Sequence, residues 1–273
     1  FTTEYFVNVG AESFAFQRIE QKAQKIGILG VHCKIEMNGK WYILGRRKES
    51  APSCHVVSLG TEQDISSRAI DQILATYNPD DLSTSTIDAM IIDNTKFIIY
   101  HLPNHTLMFN MTIAEVKGTS NAWTILKSDV IGDVKFRAMN PVLDPRNSKW
   151  IVDDNQDSTI GYLDKSTCVQ YGNIVEWLLY SPFLNLETMS IDMLEIQTIP
   201  GVAPDENATV AISITKNGRT YSNEFWALYG DNYDYSNRFY LRNIGYIRHW
   251  IGFKFRGAST ARMSFAAFNI EAS

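Results

Sequence analysis

Cys33-Lys34-Ile35-Glu36-Met37, then Asn38-Gly39, then Lys40-Trp41-Tyr42-Ile43-Leu44 is the stretch that decides the fold class. Two strand-like runs flank Asn-Gly, a dipeptide that accepts the positive φ of a type I′ turn, so the segment reads as a tight β-hairpin. The same grammar recurs along the chain. Residues 89–93, Asn94-Thr95 and 96–102 read as a second hairpin, and 54–59, closed by Gly60, as another strand. Residues 106–111, 122–127, 134–139, 149–152 and 159–163 continue the series of short strands between turns.

Trp41, Phe97 and Trp150 each fall early in a strand that follows a turn, 56 and then 53 residues apart. Repeated four-strand units of about 40–50 residues with insertions are the mark of β-propeller blades. A plain β-meander gives a similar spacing, and pattern alone does not separate the two. One helix interrupts the strands. Ile70, Ile73, Leu74 and Tyr77 stand at i, i+3, i+4 and i+7, which predicts a helix over 67–77. Ser66 or Ser67 can cap it, and Asn78-Pro79 stops it.

After Gly172 the strands lengthen. Residues 176–180, 189–199, 208–215, 220–227, 234–244, 251–256 and 262–270 read as about seven strands, with Val210, Ile212 and Ile214 alternating with small polar residues. Asn217-Gly218 marks a further tight turn. Seven strands in a hundred residues predict a β-sandwich. The expectation is an all-β chain, with propeller-like blades over 1–172 and a sandwich over 173–273.

Composition narrows the function. Apolar residues make up 45% and charged residues 20%, the balance of a folded globular chain and not of a disordered tail. The net charge is -5, and the longest basic run is Arg46-Arg47-Lys48. Phosphate-backbone binding needs clustered cations, so DNA would be met by a wall or plug rather than a grip. Cys33, Cys54 and Cys168 are odd in number and lack metal spacing, which points to a reduced, cytosolic folding compartment and to neither a disulfide scaffold nor a zinc site. No apolar run approaches ~18 residues. No charged-then-apolar leader opens the sequence, so the sequons at Asn104, Asn110 and Asn207 are expected to be silent. The chain begins at Phe1 and not at methionine, which leaves a longer parent protein open.

Each motif that could carry chemistry has a structural reading beside it. Asp153, Asn155, Asp157 and Asp164 imitate a calcium loop, but Ser158 stands where the sharp-turn glycine belongs, and a polar hairpin turn is expected. His101 and His105 would need a helix to share a metal, and Pro103 denies it. No G-x-S-x-G, H-E-x-x-H or phosphate-binding loop occurs. Asp231 and Asp234 beside Trp226, Tyr229, Tyr233 and Tyr235 form the most sugar-like cluster. The expectation is a strand-connecting loop, with these four aromatics packing on the sandwich or on a partner; Trp226, Tyr229, Tyr233 and Tyr235 are the candidate interface residues. Gly218-x-Thr220-Tyr221 is half of an aspartate-box hairpin, with Lys216 in place of the defining aspartate. No catalytic residue, cofactor or required metal is expected.

Beyond these local readings the chain resembles a known family. Thr3-Glu4-Tyr5-Phe6, Ile65-Ser66-Ser67-Arg68-Ala69-Ile70, Ile98-Ile99-Tyr100-His101-Leu102-Pro103, Gln170-Tyr171-Gly172 and Tyr180-Ser181-Pro182 carry the resemblance in order and spacing. Arg242-Asn243-Ile244-Gly245-Tyr246-Ile247-Arg248 and Gly252-Phe253-Lys254-Phe255-Arg256 are its most specific part. These segments resemble the packaged-DNA stabilisation proteins, or tail accessory factors, of short-tailed bacteriophages. The resemblance implies a propeller-like body without catalytic residues, and a virion protein that joins the tail after genome packaging. It implies a homo-oligomeric ring, a hexamer, that closes the channel below the portal adaptor, helps retain DNA and carries tail needle and tailspikes. Family members are longer, with a segment ahead of the match to Thr3, so a ring of these residues alone is expected to be short of blades. The alternative reading is a carbohydrate-binding or glycan-cleaving propeller, which a deep pocket with paired carboxylates and exposed Trp would favour.

Overall fold

A computed structural model describes residues 2–10, 14–199, 208–230, 233–260 and 263–272. They form two compact units, one of residues 1–127 with 135–161 and one of residues 128–134 with 162–273. Strands dominate both, and no helix among the described residues is long and apolar enough to cross a membrane.

The first unit opens with the sheet built on the deciding hairpin. Lys34–Met37 pairs with Lys40–Arg46 in the register Met37↔Lys40 and Glu36↔Trp41. Asn38 and Gly39 take φ of 56° and 72°, the type I′ geometry that Asn and Gly tolerate without Cβ strain. Ser53–Ser58 and Thr61–Asp64 extend this sheet. A second sheet orders Thr86–Ile92, Thr95–His101, Thr106–Asn110 and Trp123–Asp129 side by side. Its first turn is Asp93-Asn94, at φ of 48° and 61°, with Ile92 paired to Thr95. The turn therefore comes one residue earlier than Asn94-Thr95, because Asp and Asn accept positive φ and β-branched Thr does not. Ala138–Asp144, Lys149–Asp154 and Ile160–Tyr162 form a third sheet.

The first two sheets share one core. Leu44 and Cys54 of the first meet Ile98, Tyr100 and Leu107 of the second, all at most 0% exposed. Each such aliphatic side chain contributes about 1.5–3 kcal/mol of burial. The helix Arg68–Leu74 closes this core with Ile70 and Leu74, and the Ser67 hydroxyl accepts from the Ile70 N–H at its start. It is shorter than 67–77, and Asn78-Pro79 begins a second helix, Pro79–Leu82, instead of a loop. Proline suits a first turn, where its missing N–H costs nothing. Met111–Lys117 is also helical, so Met111 begins a helix and does not end a strand. Asn110 caps it through Oδ1 and Gly118 ends it at φ 87°, which also gives the sequon asparagine a structural task. The periodic aromatics do not share one environment. Trp41 is 43% exposed, whereas the Trp150 indole donates to the Ile91 carbonyl at 2.9 Å.

The second unit holds a sandwich. One sheet orders Glu176–Tyr180, Trp250–Ala258, Thr209–Thr215 and Phe225–Leu228, with Leu184–Asn185 also on Trp250–Ala258. The other orders Phe239–Ile247, Met189–Thr198 and Phe265–Ala272. Val210, Ile212, Ile251, Phe253 and Phe255 of the first face Ile191, Leu194, Ile196, Phe239 and Ile247 of the second. Gly257 lies where Trp177 covers the sheet; a Cβ there would come within 2.4 Å of the indole. The strand expected over 220–227 is only Phe225–Leu228, because the Asn217 side chain accepts from the Arg219 and Thr220 N–H groups and folds that segment into a turn.

Candidate functional site

The outward face of the sheet that contains Trp250–Ala258 concentrates aromatic and charged side chains. Val210 and Ile212 point into the core, so Ala211 and Ser213 point out, and the register sets Ala211 beside Trp226 on one side and Arg256 on the other. Arg256 is the hub of this face. Its Nε and Nη2 donate to Glu224 at 3.0 and 2.7 Å, and its Nη1 donates to Glu176 at 3.0 Å. The guanidinium lies over the Trp226 ring, 5.4 Å from the centroid. Lys254, two residues back on the same strand, lies 5.2 Å over Tyr221, which contacts Tyr180 at 6.1 Å. The Arg256 hydrogen bond holds the Glu224 carboxyl below the usual range, and Glu224 in turn raises Arg256. Charges on this face are thus largely neutralised in place, while Trp226 stays 59% and Tyr180 54% exposed. Exposed rings and planar groups beside locally neutralised charge are the composition that binding hot spots share.

The four aromatics singled out from sequence separate into two groups. Trp226 belongs to this face, and Tyr233 and Tyr235 are 76% and 70% exposed. Tyr229 is a correction: it is fully buried, its ring edge-on to Phe265 at 5.8 Å and its hydroxyl accepting from the Ser264 N–H at 2.8 Å. It holds the core and is not available to a partner. Asp234 accepts from the Ser236 N–H and hydroxyl within its own loop. Asp231 and Asn207 lie outside the described residues. Sequence reasoning named Arg256, Tyr180 and Tyr221 only within motifs, without assigning them to one face, and it missed Glu224 and Glu176. Glu224-x-Trp226 already puts two of the face's residues at strand spacing, but only the register brings Arg256 to them.

The first unit holds the arrangement nearest to catalytic geometry. In a cavity of about 470 Å³, Ser53 Oγ lies 2.7 Å from His55 Nε2, and His55 Nδ1 lies 3.0 Å from Glu62 Oε1. The surroundings oppose acyl transfer. Ser53 also donates to Asp64 at 3.1 Å, and Arg47 is committed to Glu62 through two hydrogen bonds. An oxyanion forming about 4 Å from the Asp64 carboxylate would meet roughly 4 kcal/mol of repulsion at an effective dielectric near 20. Burial holds the His55 imidazole below its ordinary value against the pull of Asp64 and Glu62. The network links polar side chains of two paired strands, Ser53–Ser58 and Thr61–Asp64.

The remaining motifs have partners within the protein. Arg137 donates to Asp154 and to Asp157, and Asn140 donates to Asp153 at 2.9 Å, so the calcium-like carboxylates serve a hairpin. Arg137 holds Asp154 below the usual carboxylate range. His101 lies 3.0 Å from Asp88 while His105 bonds Tyr77, so the two imidazoles serve different partners. Lys216 donates to the Tyr246 carbonyl at 3.0 Å.

Comparison with known proteins follows the same division into blades and sandwich. Residues 1–168 match the family described as bacteriophage P22 Gp10, beta-propeller, and residues 176–273 match bacteriophage P22 Gp10, beta-sandwich. The chain belongs to the phage P22 Gp10 family. Gp10 membership resolves the ambiguity between meander and blades in favour of a propeller, followed by a sandwich. A curated relative, the tail hub protein gp10 of Salmonella phage P22, is 25% identical over 258 residues, 93% of this chain and 53% of the relative. The chain thus spans about half the length of that curated relative. Among solved structures, an exo-beta-1,3-galactanase from Phanerochaete chrysosporium is 8% identical, covering 96% of this chain and 68% of its own, at a TM-score of 0.20 that carries no argument. The Arg256 face lies within the Gp10 sandwich match, and the Ser53–His55 cavity within the propeller match.

Proposed function

We propose that this chain is a structural part of a phage tail hub, carried in the virion, whose work is protein–protein contact. The observation that carries the reading is the ordered match of blade and sandwich segments to the Gp10 family, whose curated relative is a tail hub protein. In this reading the domains divide near residue 172, between the ends of the two family matches. The protein folds in the host cytoplasm and joins a homo-oligomeric ring, a hexamer, below the portal adaptor. There it closes the channel, retains packaged DNA and anchors tail needle and tailspikes. Trp226, Tyr233 and Tyr235 contribute to its contacts. It is not an enzyme; the carboxylates around Ser53 support that reading.

The net charge of -5 supports retention without grip. An acidic wall repels phosphate at short range, and salt screens the field beyond ~8–10 Å, so DNA is confined yet free to leave. The test is to assemble particles without the full protein and follow their DNA content. Loss of genomes, together with no tight binding of duplex DNA by the isolated protein at physiological salt, is the expected result. Particles that keep their genomes as well as complete ones would refute it.

A further inference from the structure

Phe265–Ala272 is an edge strand of the three-stranded sheet: it pairs with Met189–Thr198 on one side and with no strand of the described residues on the other. Its sequence, Phe-Ala-Ala-Phe-Asn-Ile-Glu-Ala, contains no Pro, Lys or Arg and one charge. Edge strands present a row of free backbone N–H and C=O groups, and folded proteins guard them with charge, proline or a bulge. The opposite edge of this sheet, Phe239–Ile247, is guarded in that way. It carries Arg242, with positive φ at Asn243 and Gly245 where its register shifts. Phe265–Ala272 is not guarded over its regular stretch, Ala267 to Glu271, where pairing with residues 193–197 runs without a shift.

We propose that this edge pairs, antiparallel and about a two-fold axis, with the same edge of a second copy of the chain. The axis stands perpendicular to the sheet at Asn269. That register follows from the faces. Phe268 and Ile270 lie opposite the buried Ile196 and Leu194 and so face the core, while Ala267, Asn269 and Glu271 face out. A perpendicular two-fold keeps both core faces on one side, which requires residues of like face to stand opposite each other; a slip by one residue would break it. Centring on Asn269 uses all five regular residues. Each Phe268 then meets the other copy's Ile270, an aromatic–β-branched cross-strand pair of the favourable kind, and covers a ring now 43% exposed. Each Glu271 meets the other copy's Ala267. The two Glu271 carboxylates stand roughly 14 Å apart along the strands, beyond the ~8 Å screening length at physiological salt. No like charges face each other.

This contact is isologous, whereas contacts around a rotary ring are heterologous. A cyclic ring has no two-fold between its neighbours, so the pairing belongs to the free chain in solution and is not a contact around the ring; the test reads only the pairing. Light scattering on the isolated 273-residue chain is expected to give a dimer. Asn269→Lys, at an exposed position, sets two cations face to face on the axis and is expected to weaken the dimer at least roughly tenfold with an unchanged circular dichroism spectrum. In a Cys168→Ser background, Asn269→Cys places two sulfurs across the axis within disulfide reach and is expected to cross-link under oxidation. Glu271→Cys, opposed by Ala267, is not. A monomer at every concentration, an Asn269→Lys chain that dimerises as well as the parent, or equal cross-linking by the two cysteine variants would overturn the proposal.

Discussion

Arg256 and Glu224 form a two-pronged pair, Nε to Oε1 at 3.0 Å and Nη2 to Oε2 at 2.7 Å, from residues 32 positions apart in sequence. The pair is largely shielded, with side-chain exposures of 20% and 27%. Strand Thr209–Thr215 lies between their elements, so the pair clamps the sheet across that strand. A forked guanidinium–carboxylate pair is among the stronger polar contacts, and Lys cannot reproduce its geometry.

Arg256→Lys is therefore expected to destabilise the sandwich by about 1–3 kcal/mol in urea unfolding, despite keeping the charge. Because Arg256 holds the Glu224 carboxyl below its unfolded value, the pair's contribution is present above that value and is lost as pH falls through the lower folded one. Glu224→Gln should flatten this acid limb. Equal acid sensitivity in parent and variant would count against the assignment.

Gly257 makes a steric prediction with a different signature. Any Cβ there meets the Trp177 ring at 2.4–2.5 Å, and the indole is packed against Phe265 at 5.1 Å. Gly257→Ala is expected to cost about 1–3 kcal/mol by overpacking. A second change, Trp177→Leu, removes the ring and should recover part of the loss. Additive effects of the two changes would show that they do not share a contact.

His55 predicts a pH dependence of the propeller domain. Its folded value lies below the ordinary one of 6.5, mainly through burial, with Asp64, Glu62 and Asp71 opposing and Arg47 assisting. Above about pH 6.5 the imidazole is neutral folded or unfolded and contributes no pH dependence. Below it the unfolded chain takes a proton that the folded chain resists, so stability falls as pH drops towards the folded value, by at most about 1.4 kcal/mol per pH unit. His55→Gln should remove that slope below about pH 6.5, measured by melting the chain as pH is lowered from there.

The hairpin at Asn38-Gly39 was legible because its turn is encoded in two adjacent residues that tolerate positive φ. The helix core Ile70–Leu74 was legible for a similar reason: its apolar period and its serine cap are local. Met111–Lys117 was not, since 106–111 carries a strand pattern up to Asn110, and the switch rests on one cap and Gly118. Tyr229 shows the limit at the site. An aromatic beside Trp226, Tyr233 and Tyr235 reads as surface, but strand parity and the Ser264 N–H draw it inward. Arg256 was legible as part of a motif, yet its partners Glu224 and Glu176 are 32 and 80 residues away and reach it only through sheet order.

Trp226 and Tyr229, three residues apart, should separate interface from core. Trp226 is 59% exposed and its ring lies under the Arg256 guanidinium, so Trp226→Ala should cost at most about 1 kcal/mol of stability. Exposed Trp beside neutralised Arg is the composition of a binding hot spot, where truncation costs about 2 kcal/mol or more of affinity, roughly thirtyfold. Trp226→Ala is therefore expected to fold and yet be poorly incorporated when supplied to tail-deficient particles. Tyr229→Phe is expected to behave in the opposite way. It strands the Ser264 N–H inside the sandwich and should lose about 1–3 kcal/mol on unfolding, while what remains folded joins particles normally. Incorporation is read by labelled protein co-sedimenting with particles, and stability by urea unfolding. If Trp226→Ala is incorporated as well as the parent chain, the Arg256 face is not where the tail partner sits.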